Sequence, residues 1–137
     1  MRFGASNAIQ CDVSENGEDG VAVFDGSKGI FTDCTFHHNG EDGVFARGLG
    51  TLVELRGEQT EIYHNKDCGL CTWDNATINI YIPSRPITTL VHDNRENDLS
   101  TSSGGKIKSQ LSSSSLELTV IHGGEAPEED EEGEEDY

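Results

Sequence analysis

The feature that most constrains this chain is an internal repeat built around a fixed asparagine. Four successive segments place an asparagine at the same position, at offsets of 23, 26 and 29 residues. These asparagines are Asn16, Asn39, Asn65 and Asn94. A glycine follows four residues later in the first three copies, at Gly20, Gly43 and Gly69. Self-similarity at a period between about 20 and 50 residues indicates a stack of similar structural units.

Two positions of the repeat are apolar in every copy. The first is occupied by Val13, Phe36, Ile62 and Val91. The second is occupied by Val21, Val44, Leu70 and Leu99. Polar and apolar residues alternate around both positions, which is the period of a strand and not of a helix. A third apolar run follows each of the first three copies, so a copy predicts three short strands, as in one coil of a parallel β-helix.

The asparagine and glycine positions each have a predicted role. An asparagine at a sharp bend tolerates the left-handed backbone conformation, and its amide can bond to the asparagine of the next coil. A glycine four residues later is expected to turn the chain back with a positive φ. We therefore predict a structural ladder of stacked asparagines, with the glycines beside it.

The Asn-x-x-x-Gly-apolar units at residues 16–21, 39–44 and 65–70 resemble the right-handed parallel β-helix repeat family of the pectin-lyase-like superfamily. The resemblance is greatest to the carbohydrate-binding and sugar-hydrolase type of β-helix, including that of F-box only proteins. It implies an all-β fold, a right-handed parallel β-helix (solenoid) of about four coils. It implies little about activity, because the same coils serve lyases, hydrolases, adaptors and adhesins.

The predicted β-helix covers residues 1–122, with clear repeats over 11–82 and a weaker coil over 83–122. Within the weaker coil, residues 100–115 are rich in serine and glycine and predict a loop. Residues 123–137 contain nine acidic residues and no basic ones, so we expect an acidic tail that is disordered. Removing those nine charges from the formal net charge of −17 leaves −8 on residues 1–122.

Charge and hydropathy exclude several classes of partner. An acidic body repels phosphate backbones and anionic lipid surfaces, so neither nucleic acid nor a membrane is expected as a partner. The N-terminal sequence lacks the apolar segment of a secretory signal, which favours the cytoplasm. Bare strand edges at the ends of a β-helix predict end-to-end self-association. The tail is interpreted as either a solubility aid or a docking segment for a basic partner.

One column of the repeat predicts a ligand-binding surface. It holds Phe24, Arg47 and Trp73, where an arginine between two aromatic rings would form a cation–π stack. If the column faces outward, its rings could stack on sugars, and the neighbouring Asp25 and Asp74 could accept hydrogen bonds from sugar hydroxyls. Packing within the protein is an equally good interpretation of the same residues.

A second column is acidic, with Glu18, Glu41 and Asp67 aligned. Stacked carboxylates could bind Ca²⁺ or act as paired acids in glycoside cleavage, although a solvated turn is the favoured interpretation. His38 and His64, with Glu15 or Asp93, could similarly bind zinc, and surface histidines are again favoured. No catalytic residue and no cofactor is predicted, and Ca²⁺ is left open as an alternative.

These observations favour a non-enzymatic β-helix that serves as a binding or scaffold module, with a carbohydrate or a protein as its partner. Two alternatives remain open at this point. The chain could be a fragment of a polysaccharide lyase or glycoside hydrolase of the same superfamily. It could instead be the substrate-binding β-helix of an F-box-like adaptor. The four cysteines are interpreted as structural, because Cys68 and Cys71 face no second pair that could complete a zinc site.

Overall fold

The computed structural model describes residues 5–110 and 118–121. These residues form short strands and a single helical turn. In chain order the elements are β1 (Ala5–Ile9), β2 (Asp12–Ser14), β3 (Val21–Phe24), β4 (Lys28–Thr32), β5 (Thr35–His37), β6 (Val44–Arg47), β7 (Leu52–Arg56), β8 (Glu61–Tyr63), β9 (Cys68–Trp73), β10 (Thr77–Tyr81), α1 (Ile87–Leu90), β11 (Val91–His92), β12 (Asn97–Thr101), β13 (Lys106–Gln110) and β14 (Leu118–Ile121).

The strands build three sheets that run along a solenoid, and all strand pairs are parallel except that of β13 with β14. Sheet A has the order β1-β4-β7-β10-β13-β14, sheet B the order β11-β8-β5-β2, and sheet C the order β12-β9-β6-β3. The chain passes from sheet B to sheet C to sheet A in each coil, and every sheet gains one strand per coil. The predicted all-β fold, a β-solenoid of about four coils, is confirmed.

The two apolar columns predicted from the repeat lie in the core. On sheet B, Val13 pairs with Phe36, which pairs with Ile62, which pairs with Val91. The column from Val21 to Leu99 has the same in-register pairing on sheet C. Phe36, Ile62 and Leu70 have no exposed surface. Each coil therefore buries its apolar side chains against identical positions of its neighbours, so one coil alone could not form this core.

The unequal offsets of the repeat are absorbed in the turns, mainly in those that lead from sheet A to sheet B. That turn has two residues between β4 and β5, four between β7 and β8, and nine between β10 and β11. The longest of these turns contains α1, a four-residue helix that the repeat did not predict. Its Leu90 is buried and extends the core beneath the turn.

The prediction of a loop over residues 100–115 was wrong in its described part. Residues 106–110 form β13, which continues sheet A, and only residues 102–105 form a turn. The reason is local alternation, because Ile107 and Ser109 are buried while Lys106 is exposed. The rest of that segment, residues 111–117, lies outside the described residues, as does the acidic tail 123–137. Beyond this gap, β14 pairs with β13 in the antiparallel direction.

The four asparagines form a continuous ladder at the bend between sheets B and C. Each Nδ2 donates to Oδ1 of the next asparagine at 2.9 Å, from Asn16 through Asn39 and Asn65 to Asn94. The backbone N–H of Asn16, Asn39 and Asn65 donates to the same oxygens. At the far end, both Nδ2 and the backbone N–H of Asn94 donate to Oδ1 of Asp98.

The left-handed conformation was predicted for the asparagine of this bend. The structure instead places it on the residue before the asparagine. Glu15, His38, His64 and Asp93 all have φ between 55° and 57°. The sharp bend places the left-handed residue just ahead of the ladder, so each asparagine is left in a conformation that aims its amide along the solenoid axis. The asparagines thus form the predicted ladder, while the left-handed backbone lies in the neighbouring column, one residue earlier in each coil.

The predicted positive φ at Gly20, Gly43 and Gly69 was also wrong. None of the three is among the positive-φ glycines of the described chain. Glycine is needed for space, because a Cβ at Gly43 would lie 2.8 Å from Nδ2 of Asn65 and 2.6 Å from Cγ2 of Ile62. A Cβ at Gly69 would lie 2.6 Å from Nδ2 of Asn94. The glycine column therefore makes room for the asparagine ladder of the next coil.

Candidate functional site

The outward face of sheet C carries a groove that combines aromatic rings with carboxylates. A cavity of about 300 Å³ opens there, lined by Asp19, Glu41, Asp42, Phe45, Asp67, Cys71 and Trp73. Its aromatic wall exists because outward positions of a strand recur every second residue, which places Phe45 on the same face as Arg47. We call this cavity the sheet C groove.

Aromatic side chains form a connected wall beside the groove. The ring centroids of Phe24 and Phe45 are 5.8 Å apart, and those of Phe45 and Trp73 are 5.9 Å apart, both in edge-to-face geometry. Edge-to-face pairs at this separation are favourable for aromatic rings. Trp73 remains 43% exposed. The wall therefore presents an indole surface to solvent while Phe45 supports it from the side.

The structure brings together four of the five predicted ligand-binding residues, all except Asp25. Phe24, Arg47 and Trp73 share one column of sheet C, since β3, β6 and β9 pair in register. The guanidinium of Arg47 lies 6.0 Å from the ring centroid of Trp73, and its Nε donates to Oδ2 of Asp74 at 3.0 Å. The ring of Phe24 also contacts Phe45, which in turn contacts Trp73. Asp25 follows Phe24 into the next turn and does not line the groove.

Two carboxylates that were not predicted as site residues stand at the base of the groove. Oδ1 of Asp19 accepts the backbone N–H of Asp42 at 2.9 Å, and Oδ1 of Asp42 accepts the backbone N–H of Cys68 at 2.9 Å. Desolvation raises the pKa of Asp42 from 3.8 to about 7, and the nearby charges of Asp19 and Asp67 act in the same direction. Desolvation also raises the pKa of Asp19. The groove thus holds a carboxyl group that is half-protonated near neutral pH.

The predicted acidic column is aligned but does not converge. The backbone N–H of Glu41 donates to the carbonyl of Glu18, and that of Asp67 to the carbonyl of Glu41, so the three residues stack coil upon coil. Glu18 and Glu41 are exposed. In residues 5–110 and 118–121, no group of three or more His, Cys, Asp or Glu side chains could hold a metal ion. The described geometry therefore gives no support to a Ca²⁺ site at Glu18, Glu41 and Asp67.

Histidine and tyrosine rings form a stripe on the outward face of sheet B. His37, Tyr63 and His92 stack with nearly parallel rings, at centroid separations of 4.9 and 5.6 Å. Each end of the stripe is paired with a carboxylate, since Nε2 of His37 lies 2.9 Å from Asp12 and Nε2 of His92 lies 2.6 Å from Glu61. His38 and His64 lie beside the stripe with ring centroids 5.1 Å apart. Their rings meet edge to face, which is a packing arrangement.

The four cysteines are free thiols. Cys34, Cys68 and Cys71 are buried, and Cys11 is exposed. Desolvation raises the pKa of Cys68 to about 12 and also raises the pKa of Cys71. A thiol with a raised pKa is a poor nucleophile and a poor metal ligand at neutral pH. This geometry agrees with the structural interpretation of the cysteines.

Sequence reasoning missed Phe45, Asp19 and Asp42 as groove residues. The signal for Phe45 was present, because it lies two residues before Arg47 in the same strand and so shares its face. Asp19 and Asp42 are adjacent to the acidic column that was considered, and only their burial distinguishes them from it. Each of the two also accepts a backbone N–H from the next coil, a contact that carries no local sequence signal.

The family model for a right handed beta helix region matches residues 3–82 of the chain. Since this is more than half of the sequence, the chain belongs to the right-handed β-helix family, as its repeat units predicted. No curated protein and no solved structure shows significant similarity to it. In the part of the chain that the structure describes, no helix is long and apolar enough to cross a membrane.

Proposed function

We propose that this chain is a non-enzymatic carbohydrate-binding module and that its ligand occupies the sheet C groove. The observation that carries the proposal is that one cavity of about 300 Å³ is lined both by the exposed indole of Trp73 and by the carboxylates of Asp19 and Asp42. A sugar ring presents apolar C–H faces and polar hydroxyls, so it requires both an aromatic surface and hydrogen-bond acceptors. Pockets of this kind, with a few convergent polar groups, are the usual form of small-ligand sites.

The charge of the groove favours a neutral glycan. Four of its seven lining residues are acidic, and the nearby Arg47 is already paired with Asp74. An acidic polysaccharide would bring further negative charge to a groove in which neighbouring carboxylates already raise the pKa of Asp42. Hydroxyl groups of a neutral sugar would instead donate hydrogen bonds to these carboxylates, which are stronger than bonds between neutral groups.

The single tryptophan of the sequence provides a direct test. The full chain is titrated with a panel of neutral and acidic oligosaccharides while the fluorescence of Trp73 is recorded. We expect saturable changes with a neutral member of the panel, and we expect Phe45→Ala to weaken that binding about tenfold, equivalent to about 1.4 kcal/mol. Tyr81→Ala is the matched aromatic control, because Tyr81 lies on the outward face of sheet A. The proposal would be contradicted if no neutral oligosaccharide changed the fluorescence of Trp73, or if the Phe45→Ala variant bound with the same affinity as the native chain.

One observation favours a second candidate, a glycoside hydrolase. A carboxyl group whose pKa is about 7, as at Asp42, can donate a proton to a leaving sugar oxygen at neutral pH. Measuring the release of reducing ends during the same titrations separates the two functions. Cleavage that is abolished by Asp42→Asn, with binding retained, would identify an enzyme. Binding without cleavage in the native chain supports the binding module.

A further inference from the structure

The outward face of sheet A is basic, although the protein is acidic. Outward positions on its strands carry four basic side chains and one carboxylate, and we call this surface the basic face. Its charged residues are Lys28, Glu54, Arg56, Lys106 and Lys108. By contrast, the described strands of sheets B and C contain one residue of the lysine and arginine type, Arg47. The net charge of +3 on the basic face stands within a body, residues 1–122, whose formal charge is −8.

The basic face is incompletely neutralised by its own carboxylate. Glu54 serves two partners at once, with Oε1 2.8 Å from Nη2 of Arg56 and Oε2 3.6 Å from Nζ of Lys28. Among residues 5–110 and 118–121, neither Lys106 nor Lys108 has a carboxylate partner. The unneutralised positive charge is therefore concentrated on β13, at one side of the face.

The chain leaves the described structure beside these lysines. β14 runs antiparallel to β13, with Ile121 paired to Ile107 and Val120 paired to Lys108. Ile121, the last described residue, therefore lies at the end of the sheet where Lys106 lies. The next fifteen residues, 123–137, contain nine acidic residues and no basic ones.

We propose that the acidic segment 123–137 docks on the basic face of its own chain. Fifteen extended residues reach about 50 Å, whereas β13 and β4 are three strand spacings apart, about 14 Å. The segment can thus cross from Lys106 and Lys108 to Lys28. Electrostatic attraction acts within about 8 Å at physiological ionic strength, so only contact with the face itself is effective. Tethering raises the effective concentration of the segment to the millimolar range, which allows weak contacts to hold it.

Charge complementarity determines this choice of surface. Sheet C carries the acidic groove, and the bend between sheets B and C carries Glu18, Glu41 and Asp67, so both repel the segment. Sheet B contributes Asp12 and Glu61 beside its histidines. The basic face is the described surface on which lysine and arginine outnumber carboxylates. Docking there is separate from the sheet C groove and leaves it open.

Zero-length carbodiimide cross-linking of the full chain, followed by peptide mapping, tests the proposal. We expect intramolecular isopeptide bonds from tail carboxylates to Lys106 and Lys108 and, because the segment crosses the sheet, to Lys28. Tethering alone could bring the tail to Lys106, so the yield at the distant Lys28 is the informative quantity. The double variant Lys106→Gln/Lys108→Gln should lower the Lys28 yield at least fivefold, as should 0.5 M salt. Lys66→Gln, which removes a lysine of the acidic bend, is the matched control and should leave the Lys28 yield unchanged.

Three outcomes would overturn the proposal. The first is a cross-link yield at Lys66 equal to that at Lys28, which would mean that the tail samples all surfaces alike. The second is a Lys28 yield that neither salt nor the double variant lowers. The third is cross-linking between chains only. Oligosaccharide titrations of the double variant, recorded by Trp73 fluorescence, should match those of the native chain, so failure of docking and failure of glycan binding are distinguishable.

Discussion

Nδ2 of Asn39 donates to Oδ1 of Asn65 at 2.9 Å, and neither side chain is exposed by more than 1%. Asn39 also donates to the carbonyl of Val13 and accepts from the backbone N–H and Nδ2 of Asn16. Asn39→Ala would leave several of these buried groups without partners. We expect a loss of about 3–5 kcal/mol in the free energy of unfolding, measured by chemical denaturation.

The control for this variant lies in the same column. Asn16 is exposed at one end of the described ladder and makes one side-chain donation to Asn39. Asn16→Ala removes a bond that water can replace, so we expect a loss of about 0.5–1 kcal/mol. Equal losses for the two variants would contradict a ladder whose contribution depends on burial.

Gly43→Ala tests the steric role of the glycine column. The added Cβ would lie 2.6 Å from Cγ2 of Ile62 and 2.8 Å from both Nδ2 of Asn65 and the carbonyl of Gly69. We expect destabilisation of about 1–3 kcal/mol, the usual cost of overpacking, and a lower thermal midpoint. Gly17→Ala is the control, because nothing lies within 4 Å of a Cβ there. Destabilisation of similar size by both substitutions would contradict the steric role.

Asp42 should make the stability of the protein depend on pH. Its pKa in the folded protein is about 7, against an ordinary value of 3.8, so the folded state holds this proton to higher pH than the unfolded chain does. The protonated side chain contributes its full stability below about pH 4, and this contribution is lost as the pH rises through about 7. We expect denaturation midpoints to fall between pH 5 and pH 8, and Asp42→Asn to reduce that fall.

In so acidic a chain, removal of any negative charge could also reduce the dependence of the denaturation midpoint on pH. Glu15→Gln controls for this, because it removes one charge at an exposed position of the bend. The pH profile of Glu15→Gln should follow that of the native chain more closely than the profile of Asp42→Asn does. If both variants flatten the profile equally, net charge rather than the buried carboxyl is responsible.

His92 should titrate above its ordinary pKa of 6.5. Its Nδ1 lies 2.7 Å from Asp93 and its Nε2 lies 2.6 Å from Glu61, and these hydrogen bonds raise the pKa by stabilising the imidazolium. Its stabilising contribution is therefore complete below pH 6.5 and is lost as the pH rises through the folded-state pKa. An NMR titration of the ring protons should show Glu61→Gln lowering this pKa. Asp12→Asn, which acts on His37 at the other end of the stripe, should leave it unchanged.

Thiol labelling separates the exposed cysteine from the buried ones. Cys11 is exposed, whereas desolvation raises the pKa of Cys34, Cys68 and Cys71. Iodoacetamide at pH 8 should modify one thiol per folded chain and all four after unfolding, as counted by mass spectrometry. Cys11→Ser should remove labelling of the folded chain. Rapid modification of Cys68 in the native protein would contradict its burial.

The repeat determined the register of the β-helix because a shared core forces equivalent residues into alignment. Val13 and Phe36 could be paired from the sequence because a shift of one strand by one residue would turn its apolar side chain outward while that of its neighbour stayed in the core. The strand over residues 106–110 escaped prediction because serine and glycine dominate the composition around it, although Ile107 keeps the alternation.

The details of the bend could not be predicted from a single coil. The left-handed conformation falls on His38 and His64 rather than on the asparagines, because the ladder fixes the orientation of each amide. The need for glycine at Gly43 comes from atoms 19 and 22 residues further along the chain, in Ile62 and Asn65. Likewise, the pKa of Asp42 is raised by desolvation and by the charges of Asp19 and Asp67, which are distant in sequence, so the residues next to Asp42 do not reveal it.

Asp98 gives the solenoid a direction. Along the ladder each amide passes a hydrogen bond onward, from Asn16 to Asn94, but the carboxylate that receives the last bond has no N–H to pass on. A second copy stacked head-to-tail would bring the amide oxygen of its own Asn16 to this carboxylate, acceptor against acceptor. The one-way direction of the hydrogen bonds in the ladder thus opposes head-to-tail stacking of copies into a fibre at this bend. A single Asp98→Asn substitution would restore the missing donor.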